Sequence, residues 1–452
     1  MLVRDPRGVA WTTGVETSAA KLFAAMHSYF TFRVDAMDRV DCLLREDPEV
    51  PAGWVLRGYL LLFSRAGSDM PVAAESLARA EALSQIATPA ERLHVSALKA
   101  WLNSDALGAQ RIWDAILTCM PHDLLALRVQ HFNALMLGRP DYLRSLAGRS
   151  LADWDDAIPG AGFVYGMVCM GLEEAGEYAR AEALGRRGAD LEPDDLWSVH
   201  SVAHVMEAQG RFSEGLDWMK RPVSFWKGRG PMRHHLLWHE ALFLYEAGRF
   251  DRALDYYDRR LAPQGASGYL EMSDCASFLV RLEAAGVVCG GRWDDLAEAG
   301  RHLVDDRILT FNDVHMLFVL AMAGDGAGLR RLSTSLAGHA MATRSFDAEA
   351  AGRISVPLAE ALTARMAGDV TGATDRLLAA RFAFPHMGGS NAQRDVLDIY
   401  LIDCAIASGD TALSRRLLHE YLDLRPGSVP MQTRLSELEA ASGDRCRVQP
   451  VP

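Results

Sequence analysis

Lysine is nearly missing from this chain of 452 residues, although arginine is common; the two together number 47 against 59 aspartates and glutamates, for a net charge of -12. No run of five or more basic residues occurs. Nucleic-acid binding, which needs clustered Lys and Arg against phosphates, is therefore not expected, and neither is attachment to a membrane surface through a polybasic patch. Long apolar runs are missing too: nothing reaches the ~18 uninterrupted apolar residues of a spanning helix. The opening segment Met1-Leu2-Val3-Arg4-Asp5-Pro6-Arg7-Gly8 places charges where a signal peptide needs its apolar stretch. The cysteines (Cys42, Cys119, Cys169, Cys275, Cys289, Cys404 and Cys446) lie far apart, odd in number and without a Cys-x-x-Cys pair. Reduced thiols in the cytoplasm are the economical expectation. There is no Gly-x-Ser-x-Gly elbow, no Walker loop and no Cys beside a His in the motifs below, so covalent Ser or Cys catalysis has no support.

What the chain does have is helix. Ala, Leu, Arg and Glu dominate, apolar residues recur at three and four, and no segment reads as a convincing strand. A small residue followed by a polar one punctuates the helices at Ser104-Asp105, Gly138-Arg139, Gly176-Glu177, Gly210-Arg211, Gly248-Arg249, Gly291-Arg292, Gly324-Asp325, Gly368-Asp369 and Gly409-Asp410, at intervals of 33 to 44 residues. The unit around Gly176-Glu177-Tyr178, with Ala181 and a terminal Pro193, carries the tetratricopeptide signature of helix, short turn, aromatic, Ala and Pro. The expected fold is an all-α, tetratricopeptide-like solenoid of about nine or ten helix pairs. Its stretched later intervals predict a tight, irregular curl. One continuous array over 1–442 is expected, with 262–268 as the best candidate break and 443–452 as a frayed tail.

Several segments go beyond a generic repeat. They are Val55-Leu56-Arg57-Gly58-Tyr59-Leu60-Leu61-Leu62, Gly171-Leu172-Glu173-Glu174-Ala175-Gly176, Leu196-Trp197-Ser198-Val199-His200-Ser201-Val202-Ala203-His204-Val205-Met206-Glu207, His235-Leu236-Leu237-Trp238-His239-Glu240-Ala241-Leu242-Phe243 and Gly388-Gly389-Ser390-Asn391-Ala392-Gln393-Arg394-Asp395-Val396. In these segments, from about Gly8 to about Asp423, the chain resembles the tetratricopeptide repeat protein 38 family. The resemblance implies a soluble, intracellular helical-repeat protein and no particular activity.

His200 and His204 are four apart, so on a helix they share a face, and Glu207 joins it three residues on. His235 and His239 repeat the spacing on the first helix of the following unit. First helices line the concave side of tetratricopeptide arrays, so both pairs are expected in one cavity. Four imidazoles facing one space suit a transition metal such as zinc. They suit acid/base chemistry near neutral pH as well, and also a plain network of buried hydrogen bonds. Arg281 lies in an apolar helix where it needs a carboxylate, with Asp274 the candidate, or a ligand anion. Asp313 and His315 stand at a helix start, where capping is the alternative to a functional role. Ser390, Gln393 and Arg394 follow Gly388-Gly389, whose free N–H groups are expected to hold an anion at a helix N-terminus.

The functional expectation is a closed pocket that binds, and is able to transform, a small anionic molecule. His200, His204, His235 and His239 would be the acid/base or metal-ligating groups. Glu207, Trp238, Asp274, Arg281, Asp313, His315, Ser390, Gln393 and Arg394 would be the binding groups. The alternative is an interaction scaffold whose open groove takes a peptide or protein segment.

Overall fold

The computed structural model describes residues 1–452 apart from 65, 263–265, 267, 308 and 447–452. One feature departs from the helical expectation: strand β1 (Leu2–Arg4) pairs antiparallel with β2 (Ala10–Thr12). No Asn-Gly turn signals this ribbon. Asp5 makes the reversal instead, its carboxylate accepting from the backbone N–H groups of Arg7 (2.9 Å) and Val9 (3.0 Å).

From Thr17 onward the described chain is an all-α solenoid in which eleven successive helix pairs are followed by a last helix, Val429–Cys446. The punctuation read from Ser104 begins at the third pair. The last helix runs four residues into the segment expected to fray, and 447–452 lie outside the described residues, as do 263–265 and 267 of the candidate break. No described helix is long and apolar enough to cross a membrane.

The repeat turn has one recurring form. The N–H of Gly176 bonds the carbonyl of Glu173 (2.8 Å) and that of Glu177 bonds Leu172 (2.8 Å), closing the helix end through a left-handed glycine. In the 269–284 unit the residue with this role is Gly286, which bonds Glu283 (2.9 Å) while Val287 bonds Leu282 (3.0 Å). Gly291, the residue read from sequence, instead opens the next helix in ordinary right-handed geometry. With Gly286 in place, the irregular intervals around Gly291 become 38 and 38 residues.

The array closes on itself. Helix Asn391–Ser408 packs against both Leu196–Ala208 and Tyr269–Ala284, and the last helix reaches Pro231–Glu246. The latch is backbone on backbone: Gly389 N–H bonds the Leu135 carbonyl at 3.1 Å. Gly138, at φ +59, comes so near Pro385 that a Cβ there would sit 1.8 Å from its carbonyl oxygen. A second crossing joins 31–34 to 228–230, with Gly230 N–H bonding Phe32 O (2.8 Å) and Val34 N–H bonding Gly228 O (3.0 Å). Two apolar cores result, one centred on the first half of the chain and one on the second. They meet at Pro231–Glu246, which contributes Leu236 to one and Leu237 to the other.

Candidate functional site

Two neighbouring first helices carry the site. Asp195, fully buried, starts Leu196–Ala208 by accepting from the N–H groups of Trp197 (3.1 Å) and Ser198 (2.9 Å). Every residue from Leu196 to Glu207 is buried, so the side that would face an open groove lies inside the closed array.

The i, i+4 spacing places His200 and His204 a turn apart, with their Nε2 atoms 2.9 Å from one another. His235 and His239 meet them from Pro231–Glu246, ring centres 4.4 to 5.0 Å away. One ring nitrogen from each of the four lies within 4.8 Å of the others. Two of the imidazoles are oriented from behind by carboxylates: His235 donates from Nδ1 to Asp274 (2.9 Å) and His239 donates from Nδ1 to Glu207 (3.1 Å). Nδ1 of each ring is thus committed to a carboxyl group, which leaves Nε2 to the cluster. His239 Nε2 and His200 Nδ1 are buried without a hydrogen-bond partner.

Burial, then repulsion among the rings, pushes His200, His204 and His239 well below the usual imidazole range, so they are neutral bases at neutral pH. Burial also raises the Glu207 carboxyl to about 7 against the pull of Arg425. Asp274 is the opposite case: burial works to raise it, but His235 and His234 outweigh that and hold it at about 2. His234 gives Nδ1 to Asp274 (3.3 Å) and Nε2 to the Leu261 carbonyl (2.8 Å). Burial would lower it, but Asp274 and then Cys275 raise it to about 10, so it is a cation at neutral pH. Trp238 stacks on His235 (16° between planes, 5.1 Å) and gives its N–H to Ser277 Oγ at 3.1 Å.

No family model matches the chain. Solved structures with a similar course of helices include the human IFIT1 dimer with m7Gppp-AAAA, at 13% identity over 87% of this chain and 90% of that one, TM-score 0.39. Yeast Tom70 aligns at 13% identity over 96% and 98%, TM-score 0.30. Naa15/Naa10 bound to HypK-THB aligns at 11% over 94% and 66%, TM-score 0.25. By its own succession of helix pairs the chain is an all-α helical-repeat protein.

The other expected binding residues divide. Arg281 does meet a carboxylate, but it is Asp395 rather than Asp274, and the same guanidinium also bonds Ala392 O (2.6 Å) and Ser277 O (2.9 Å). Asp395 in turn pairs with Arg425 (3.1 Å), which reaches Glu207 at 3.4 Å. Arg394 comes to the interior, yet its charge is met by Glu174 at 2.6 Å, and it also bonds Asn391 Oδ1 and the Gly389 carbonyl. The N-terminus of Asn391–Ser408 does hold an anion, and it is the protein's own: Glu174 accepts from Asn391 N–H at 2.6 Å. Ser390 and Gln393 close a capping box there. His315 is set by its bond to the Phe311 carbonyl (2.7 Å), not by Asp313, and burial lowers it to about 4. Asp313 is raised to about 7 by burial. Clefts of about 420 and 240 Å³ lie elsewhere, around Arg353 and Phe382 and around Phe23 and Phe163.

Sequence reasoning missed a neighbouring group. Arg128 and His131, on helix Leu124–Met136, pack around Trp197, beside His200. The signal was present: Arg128 sits in an apolar helix as Arg281 does.

Proposed function

We propose that the protein binds a transition-metal ion at His200, His204, His235 and His239, and acts there on a small molecule. What supports this is the backing of two converging imidazoles by Asp274 and Glu207, the arrangement that fixes ring orientation and raises ligand basicity in histidine metal sites. An all-imidazole donor set suits Zn, Fe, Cu or Ni rather than Mg or Ca. Metal–nitrogen bonds of about 2.0–2.1 Å ask His200 and His204 Nε2 to part slightly from their 2.9 Å contact and the more distant nitrogens to draw closer, by side-chain rotations. His200, His204 and His239 are already neutral, so one ring of the His200–His204 pair has only to pass its Nε2 proton to Nδ1 for both to offer lone pairs. A bound ion would supply Lewis-acid or redox chemistry in a water-poor interior. The affinity for the tetratricopeptide repeat protein 38 family and a cytoplasmic location belong to the same reading, the latter in keeping with the free buried thiols Cys169, Cys275, Cys289 and Cys404. The scaffold alternative has less support, because the groove face of Leu196–Ala208 is enclosed.

The test is metal analysis of the full chain after incubation with Zn²⁺, Fe²⁺ or Co²⁺ and desalting. About one equivalent of one metal is expected in the wild type, and none in a His200→Ala/His239→Ala variant. A wild type that retains no metal, or a variant that retains as much, removes the reading.

A further inference from the structure

Arg128 is fully buried, and only one of its nitrogens is well served: Nη2 bonds the Phe30 carbonyl at 2.5 Å. Nε and Nη1 are buried without a hydrogen-bond partner. The nearest carboxylate, Asp195, stands off at 3.8 Å, already accepting from Trp197 N, Ser198 N and Ser198 Oγ. The guanidinium is walled by Phe32 (4.9 Å), Phe132 (5.2 Å) and Trp197 (5.9 Å). Trp197 Nε1 and His131 Nε2, on rings 5.4 Å apart, are likewise buried and unpartnered. His200, 4.5 Å from Trp197, joins this group to the four-histidine cluster through its unpartnered Nδ1. Orphaned polar atoms of this kind, the Arg128 and Trp197 donors above all, are expensive in a folded interior unless something pairs with them. Phe32 adds a further oddity: φ +54, a region bulky side chains avoid, held there by the crossing from Gly230.

We infer that Arg128, Trp197 and His131 form an anion-binding wall beside the four-histidine centre, and that the small molecule bound there is an organic carboxylate. The wall rests on the orphaned polar atoms, and the metal reading enters only through its place beside the four-histidine centre. A carboxylate held there would accept from Arg128 and from Trp197 Nε1. A monoanion suits the aromatic walls better than inorganic phosphate, whose desolvation is heavier.

The test is calorimetric titration of acetate and of inorganic phosphate into Zn²⁺-treated and metal-free full-length protein, with metal content measured on the same samples. Acetate is expected to bind the wild type at least tenfold more tightly than phosphate. Arg128→Gln should weaken acetate tenfold or more without changing metal content, and Trp197→Phe, which keeps the ring and removes the donor, about threefold or more. If Arg128→Gln fails to fold, Trp197→Phe alone decides. Acetate binding that both folded variants leave unchanged overturns the inference, as does phosphate binding as tightly as acetate. A wild type without metal whose acetate binding still depends on Trp197 and Arg128 leaves this wall standing and sinks only the metal reading.

Discussion

His239 and Glu207 face one another across two adjacent helices, with Nδ1 of the ring 3.1 Å from Oε2 of the carboxylate. The carboxylate fixes which nitrogen the ring offers to the cluster, and its own proton affinity is tied to the charge the cluster carries.

Glu207→Gln is therefore expected to weaken metal binding by about 10–100-fold while leaving the fold intact. Metal charge favours the ionised carboxylate, so loading pulls Glu207 down from about 7 and releases its proton. Wild-type affinity should rise with pH up to about 7 and then level off. The variant should lose that slope. Chelator competition between about pH 6 and 8 measures both quantities; an unchanged slope in the variant refutes the role.

His234 gives the opposite signature on the alkaline side. Its folded value is raised to about 10 from 6.5, so its contribution is whole below about pH 6.5 and is lost as pH climbs toward 10. Wild-type melting temperature should fall across that window. His234→Gln should melt lower at pH 6.5 and show a flatter decline, as thermal scans across the range would reveal.

Arg394→Met should unfold more easily and bind metal normally. Its removal strands the Glu174 carboxylate, buried at the start of Asn391–Ser408. Breaking one side of a buried pair costs about 3–5 kcal/mol, whereas replacing both with apolar residues costs far less. Urea unfolding of Arg394→Met and of Arg394→Met/Glu174→Met should show the double variant recovering most of the loss.

Gly138→Ala tests the latch. A methyl 1.8 Å from the Pro385 carbonyl oxygen cannot be accommodated without moving backbone, and the left-handed φ adds roughly 1–2 kcal/mol of strain. Amide exchange should quicken selectively at Gly389, whose N–H bonds Leu135. Unchanged protection there would show that the turn contacts do not hold the closure.

The sequence was readable where a residue's role is local. Helical periodicity, the i, i+4 histidines and the Ser390–Gln393 capping box needed only spacing. Partner choice was not readable, because it is set by closure: Arg281 finds Asp395 more than a hundred positions away, and the nearer Asp274 is taken by His234 and His235. Likewise Gly291 satisfied the small-then-polar pattern, but the helix ends five residues earlier, at Gly286. Arg128 went unflagged because its neighbour in space, Trp197, belongs to another repeat.

An open repeat array owes its tolerance to its nearly one-dimensional wiring: units can be added or removed, and unfolding can begin at either end. The Leu135–Gly389 and Glu174–Asn391 bonds remove that freedom here. Deleting one internal unit would shift every later partner by a repeat and leave acceptors on one side of the ring facing the wrong donors. Such a chain should melt as one cooperative body and refold slowly, since contacts this distant in sequence must form before the interior is sealed.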